Sequence, residues 1–204
     1  MTAVESRRER KKAAARSQIL SVAIDLFSRR GLEAVTIDEI AAAADVGKGT
    51  IYNYFATKED IVVAFMADLE AQMAPTIANF KPGRHPVDRV LADYILLHFR
   101  LKEPYHPFVR VFLAQMFTDT ARFFPYMVEM QKYIDPPLHS LFSKLAERGM
   151  IRADIDLQQL IMSFKTMHLG LTALWAVEGP PFQQTTLVVR QQMQFFTQGI
   201  MRKP

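Results

Sequence analysis

Residues 36–58, TIDEIAAAADVGKGTIYNYFATK, constrain the fold more than any other stretch of the chain. Two helix-patterned segments are separated only by Asp45-Val46-Gly47, and a third begins directly after Phe55. Thr36 stands three residues before Glu39, the spacing of a capping box that opens a helix. Ile37, Ile40, Ala41 and Ala44 then share one face, and the small alanines let a neighbouring helix approach closely. Gly47 is expected where the turn needs unusual backbone angles. A helix is predicted over 48–55. At about 100° per residue, Ile51 and Phe55 face inward beside Val46, while Gly49 and Asn53 point outward between Thr50 and Tyr52. Gly49 weakens a helix, yet it clears a place where another backbone could come close. A short braced helix with polar groups outward is the form that helix-turn-helix proteins lay into the DNA major groove.

The flanking segments support a three-helix unit. A helix predicted over 13–30 carries Ile19, Ala23, Ile24 and Phe27 as a stripe, and Gly31 follows Arg29 and Arg30 as a stop signal. The helix after the recognition segment starts at Thr57, with Asp60 as the acidic partner three residues on. Lys58 sits in a first helical turn, where a cation is mildly unfavourable. It is either a solvated side chain or a phosphate contact.

Charge and composition narrow the rest. The formal net charge is +4, and residues 1–16 carry six basic and two acidic side chains, so this arm holds the whole excess. Such an arm is either a solvated tail or a strand that follows phosphates or enters a minor groove. There are no cysteines, which removes disulfides, thiolate metal sites and cysteine nucleophiles. Glycine is sparse at 8 residues, and strand-like alternation is nearly absent, so an all-α fold is expected. No apolar run approaches the length of a membrane span and no signal peptide opens the chain. A soluble cytoplasmic protein is the default expectation, with no membrane partner.

The stretch 31–65, GLEAVTIDEIAAAADVGKGTIYNYFATKEDIVVAF, resembles the DNA-binding domain of TetR-family transcriptional regulators. The resemblance rests on Gly31, Thr36, Ile40-Ala41, Ala44, Val46, Gly49-Thr50, Tyr52, Tyr54-Phe55, Lys58 and Glu59, and covers about fifty N-terminal residues. It implies that Thr36 places a helix N-terminus on a phosphate, that Thr50 and Tyr52 touch bases or backbone, and that Tyr54 and Lys58 grip phosphates. Positions 48 and 53 vary in that family, which makes Lys48 and Asn53 the expected sequence readers; Asn pairs with adenine and Lys with guanine. Gly47 stands where the family often has Ser, removing one expected phosphate contact.

Beyond residue 80, helices are predicted over 87–102, 108–117, 123–134, 138–148, 156–177 and 186–201. The Asp135-Pro136-Pro137 run interrupts the pattern; Asp135 can cap and proline suits the first turn of a restart, so 138–148 is expected as a new or sharply kinked helix. The last two helices are apolar around much of their girth and need cover from the same chain or a second copy. The resemblance implies a homodimer, with Leu171, Leu174, Trp175, Val188, Phe195 and Phe196 at the interface. Phe108, Phe112, Met116, Phe164 and Met167 are either ordinary core or an adaptable pocket for an apolar ligand, since methionine repacks easily. His98 and His168 lie on or near apolar faces and are candidate polar groups in that pocket. No histidine spacing suits a metal, and no catalytic constellation or cofactor motif appears.

The expected architecture is a basic arm (1–12), a helix-turn-helix domain (13–60) and a larger helical effector-binding and dimerisation domain (61–204). The expected function is a non-enzymatic, ligand-responsive repressor. It would bind a palindromic double-stranded DNA operator as a dimer and leave it when a small apolar or aromatic effector binds. The rival reading is a small-molecule or lipid carrier whose DNA-binding head is vestigial.

Overall fold

The computed structural model describes residues 7–200. Nine α-helices and one 3-10 turn account for the ordered elements there, and no extended strand occurs among the described residues. The fold is all-α, as expected. The described residues up to Met66 form one compact unit and those from Ala67 onward a second.

The first unit holds α1 (Arg7–Arg30), α2 (Ile37–Ala43), α3 (Lys48–Tyr52) and the start of α4 (Lys58–Ala78). Its core is Ile19, Ala23 and Phe27 of α1, Val35, Ile40 and Ala44 around α2, Ile51 and Phe55 around α3, and Ile61 and Val62 of α4. Helix α1 starts at Arg7, earlier than expected at 13, so residues 7–12 of the basic arm are helical; residues 1–6 lie outside the described residues. The reason is local. Arg, Lys and Ala are strong helix formers, and extending a helix already anchored by Ile19 and Phe27 avoids the cost of nucleating one.

The second unit holds α5 (Val87–Lys102), a 3-10 turn (Glu103–Tyr105), α6 (His106–Thr118), α7 (Thr120–Glu147), α8 (Leu157–Glu178) and α9 (Gln183–Ile200). Its centre is filled by Leu91 and Ile95 of α5, Phe142 and Leu145 of α7, Phe164 of α8, and Val189 and Met193 of α9. The side chain of Glu178 closes the α8–α9 hairpin by accepting from the backbone N–H of Gln184 (2.8 Å) and Thr185 (2.7 Å) and from the Thr185 hydroxyl.

Helix α7 corrects an expectation. It runs unbroken through Pro125, Pro136 and Pro137 rather than ending at 134. An interior proline costs about 3 kcal/mol. Against this, Met130, Leu138, Leu141, Phe142 and Leu145 are buried along the same helix, each contributing roughly 1.5–3 kcal/mol. Packing therefore outweighs the local preference. Asp135, expected to cap a restarted helix, instead accepts from Lys165 of α8 at 2.7 Å.

Helices α4 and α8 are both long and apolar enough to span a membrane by composition alone, with 56% and 33% of their most apolar windows buried in the protein. The first is largely a core helix. The second leaves most of that window uncovered.

Candidate functional site

The helix-turn-helix is built by two capping boxes and one tethered lysine. At α2, the Thr36 hydroxyl oxygen accepts from the Glu39 N–H (3.2 Å), and the Glu39 carboxylate accepts from the Thr36 N–H (2.8 Å). Arg30 adds a 2.7 Å bond to the same carboxylate. The Thr36 N–H first, then Arg30, hold the Glu39 carboxyl down to about 2. At α4, the Asp60 carboxylate accepts from the N–H of Ala56 (3.0 Å) and Thr57 (2.9 Å), and the Thr57 hydroxyl accepts from the Asp60 N–H (3.1 Å). Gln18 of α1 donates to the Ala44 carbonyl at 2.9 Å, fixing the end of α2.

The turn differs from expectation. Gly47 has φ −69°, ordinary for any residue, and serves as the N-cap of α3 without a side-chain bond. The left-handed position is Asp45, at φ 51°, a conformation its short polar side chain tolerates. Helix α3 is also shorter than predicted, ending at Tyr52 with Asn53 as its C-cap.

The outward face carries the predicted residues. Lys48, Gly49, Tyr52 and Asn53 are exposed, Thr50 and Tyr54 half-buried. Half of the Tyr52 surface is accessible, against none of Ile51. A Cβ built on Gly49 would meet nothing within 4 Å, so internal packing gives no reason for a glycine there. Lys48 pairs with Asp38 of α2 at 3.0 Å, and that hydrogen bond raises its pKa. Lys58 is occupied inside the unit: its ammonium donates to the carbonyls of Leu32 (2.7 Å), Val35 (3.0 Å) and Glu33 (3.3 Å). This explains a cation in a first helical turn without any phosphate. Thr36 is exposed but its hydroxyl is committed to the capping box.

The second unit contains a buried polar cluster in an apolar setting. Tyr94, His98 and Lys102 lie one turn apart along α5. Tyr94 and His98 are 2% and 3% exposed, their rings 4.8 Å apart, and neither the Tyr94 hydroxyl nor His98 Nε2 has a hydrogen-bond partner among the described residues. Lys102 is paired with the buried Glu70 of α4. His168 of α8 meets His98 edge-on at 5.0 Å. Burial depresses His98 strongly, with His168 and Lys102 adding to the effect. Burial, then Lys102, push His168 down to about 3. Burial and the nearby Glu70 raise Tyr94. Both imidazoles are therefore neutral at physiological pH.

Residues 19–65 match the family model of bacterial regulatory proteins, tetR family. This segment is a TetR-type DNA-binding domain. Among its relatives, the transcriptional regulator RutR of Escherichia coli is 26% identical over 195 residues, covering 95% of this chain and 89% of RutR. The transcriptional repressor KstR2 of Mycobacterium tuberculosis is 26% identical over 172 residues, covering 81% and 83%. In structure, FadR of Thermus thermophilus, a repressor solved with lauroyl-CoA, superposes with a TM-score of 0.72 at 19% identity, covering 93% of this chain and 96% of FadR. With this domain and these relatives, which are transcriptional regulators, the chain is a DNA-binding transcriptional regulator.

Some of the predicted effector residues are brought together in the second unit. His98, Phe164 and His168 converge, with Phe164 6.2 Å from both Tyr94 and His168. Phe112 packs instead on Phe123 at 4.7 Å, and Phe108 is buried on α6. Met116 and Met167 are half-buried. Sequence reasoning missed Tyr94, Lys102 and Glu70 as members of the cluster. The i, i+4, i+8 spacing of Tyr94, His98 and Lys102 was the available signal.

The predicted interface residues also divide. Leu171 and Trp175 are buried within the chain, Trp175 stacked between Phe99 (5.2 Å) and Phe182 (4.8 Å). They are core, because an apolar helix has an inner face as well as an outer one. Leu174 and Phe195 are exposed, Val188 and Phe196 half-buried. Met162, Leu169 and Val177 of α8 and Leu187 of α9 join the exposed set.

Proposed function

We propose that this regulator is a dimeric repressor that binds a palindromic operator through α3 and is released by an effector held in its second unit. The observation that carries this reading is the pairing of an outward polar α3 with an uncovered face on α8. That face, Met162, Ser163, Thr166, Leu169, Gly170, Ala173, Leu174 and Val177, has no charged side chain. On α9, Leu187 and Phe195 are likewise exposed. Large exposed apolar patches mark interaction sites, and a two-fold dimer matches a two-fold operator.

Lys48, Gly49, Thr50, Tyr52 and Asn53 are the proposed reading face, with Thr36 and Tyr54 at its edges and Arg8, Arg10, Lys11 and Lys12 as phosphate contacts. Lys58 is a structural tether in this reading. The effector is a largely apolar molecule in the second unit, a role supported by the lauroyl-CoA bound in FadR and by the unpartnered polar atoms among Phe80, Phe99 and Phe164 in this chain. Effector binding biases the head toward a state that holds DNA less well, a coupling of roughly 1–3 kcal/mol.

The test is a salt-dependent mobility shift of the full chain on the DNA flanking its own gene. Expected is a protected palindrome lost on alanine substitution of Tyr52 and Asn53. Binding that ignores sequence, or survives both substitutions, defeats the operator reading. If a cellular effect persisted in those variants, the protein would be acting as a carrier.

A further inference from the structure

The polar cluster of the second unit is over-built for a plain core. Burying a polar atom without a partner leaves its desolvation uncompensated, and such atoms are rare in native structures. Here two stand on one face of α5, the Tyr94 hydroxyl and His98 Nε2. Aromatic rings surround them: Phe80 lies 5.5 Å from Tyr94, and Phe164 6.2 Å. His168, 5.0 Å from His98, keeps some accessible surface and so does Met167 beside it. The cluster is thus walled by apolar groups, with partly exposed side chains at its edge.

Its charge selects the ligand class. Lys102 is neutralised by Glu70, so the cation most suited to an anionic ligand is already matched. An ionised carboxylate entering here would be a third buried charge with no counter-ion, which is strongly unfavourable. The open valences are a hydroxyl donor on Tyr94 and one imidazole nitrogen on His98 that donates or accepts according to tautomer. A carbonyl oxygen has two lone pairs for two such donors. A ligand hydroxyl satisfies the same pair by accepting from one and donating to the other. We propose that the effector site is centred on Tyr94 and His98, and that it selects an uncharged, largely apolar molecule bearing one ketone or hydroxyl oxygen. This rests on the reading of the second unit as the effector unit.

The test uses the full chain and matched probes: one alkyl chain carried as the alkane, methyl ketone, secondary alcohol and carboxylate, and a naphthalene skeleton carried the same four ways. Binding is measured by calorimetry and thermal shift, and operator release by fluorescence anisotropy on the same samples. Expected is that on at least one skeleton the ketone or alcohol binds about tenfold tighter than both the hydrocarbon and the carboxylate. Tyr94→Phe, which keeps the packed ring, removes that advantage and leaves hydrocarbon binding unchanged. The inference is overturned if the carboxylate binds as tightly as the ketone, if Tyr94→Phe leaves ketone binding intact, or if no probe binds. A crystal structure with ordered water on the Tyr94 hydroxyl and His98 Nε2 that no probe displaces overturns it too. Failure of the repressor reading looks different: the ketone binds at Tyr94 but operator affinity does not change.

Discussion

Lys58 donates to three carbonyls of the 32–35 segment, so its removal is a stability experiment before it is a DNA-binding one. Lys58→Met deletes three charge-assisted hydrogen bonds and is expected to cost about 1.5–3 kcal/mol, read as a lower urea midpoint. The slope of log K against log salt should stay unchanged, because no phosphate contact is lost. A slope shallower by about 0.9 would instead identify a phosphate ligand. Gly49 offers the opposite test. Nothing lies within 4 Å of its missing Cβ, so Gly49→Ala should raise stability by roughly 0.5–1 kcal/mol through helix propensity. It should also weaken operator binding by about tenfold if DNA comes close there; unaltered affinity in a titration would remove Gly49 from the reading face. These two residues mark the limit of what spacing reveals. The capping boxes of Thr36 with Glu39 and Thr57 with Asp60 were legible because both partners are side chains at a fixed offset. The tether of Lys58 was not, because its acceptors are main-chain carbonyls some 23 to 26 positions away. The left-handed position expected at Gly47 falls at Asp45 for a related reason: composition says which residue tolerates a left-handed angle, not which one is given it.

At the scale of elements, α1 and α7 are longer than their sequence patterns suggested, and for different reasons. In α7 the burial of residues on both sides of Pro136-Pro137 overrides the local break. In α1 residues 8–14 are all exposed, so helix propensity rather than burial carries the extension from a segment anchored below. The consequence is a helical row of cations. Arg8, Lys11 and Lys12 fall at i, i+3 and i+4 and therefore share one face. A helix holding its charges in fixed register neutralises phosphates without first losing the entropy of a free arm. Deletion of residues 1–12 should accordingly flatten the salt dependence of operator binding by a slope of about 1–3, with selectivity between operator and scrambled DNA retained, because phosphate contacts position and base contacts specify. An unchanged slope in anisotropy titrations at several salt concentrations would leave the basic row as a solvated tail.

For the molecule as a whole, the decisive distinction is between what α8 and α9 bury within one chain and what they leave for another. Sequence patterning left both helices to be covered by the same chain or by a second copy, and could not separate their two faces, because α8 is apolar on nearly every side. In the structure, Leu171 and Trp175 turn inward and Leu174 and Phe195 outward, the last at 75% exposure. The two sets should fail differently. Trp175→Ala removes a ring stacked between Phe99 and Phe182 and should cost about 3–5 kcal/mol, seen as a large fall in melting temperature at any protein concentration. Leu174→Glu with Phe195→Lys changes no buried contact of the protomer, so the helical signal in circular dichroism should persist while sedimentation equilibrium reports a monomer. Its melting temperature should lose the concentration dependence expected of a dimer. Operator affinity should then drop by far more than the base contacts of one head explain, since two heads on one DNA act at a high effective concentration that a monomer forfeits. If the double variant sediments as the parent does, another surface covers α8, and the palindrome loses its structural basis.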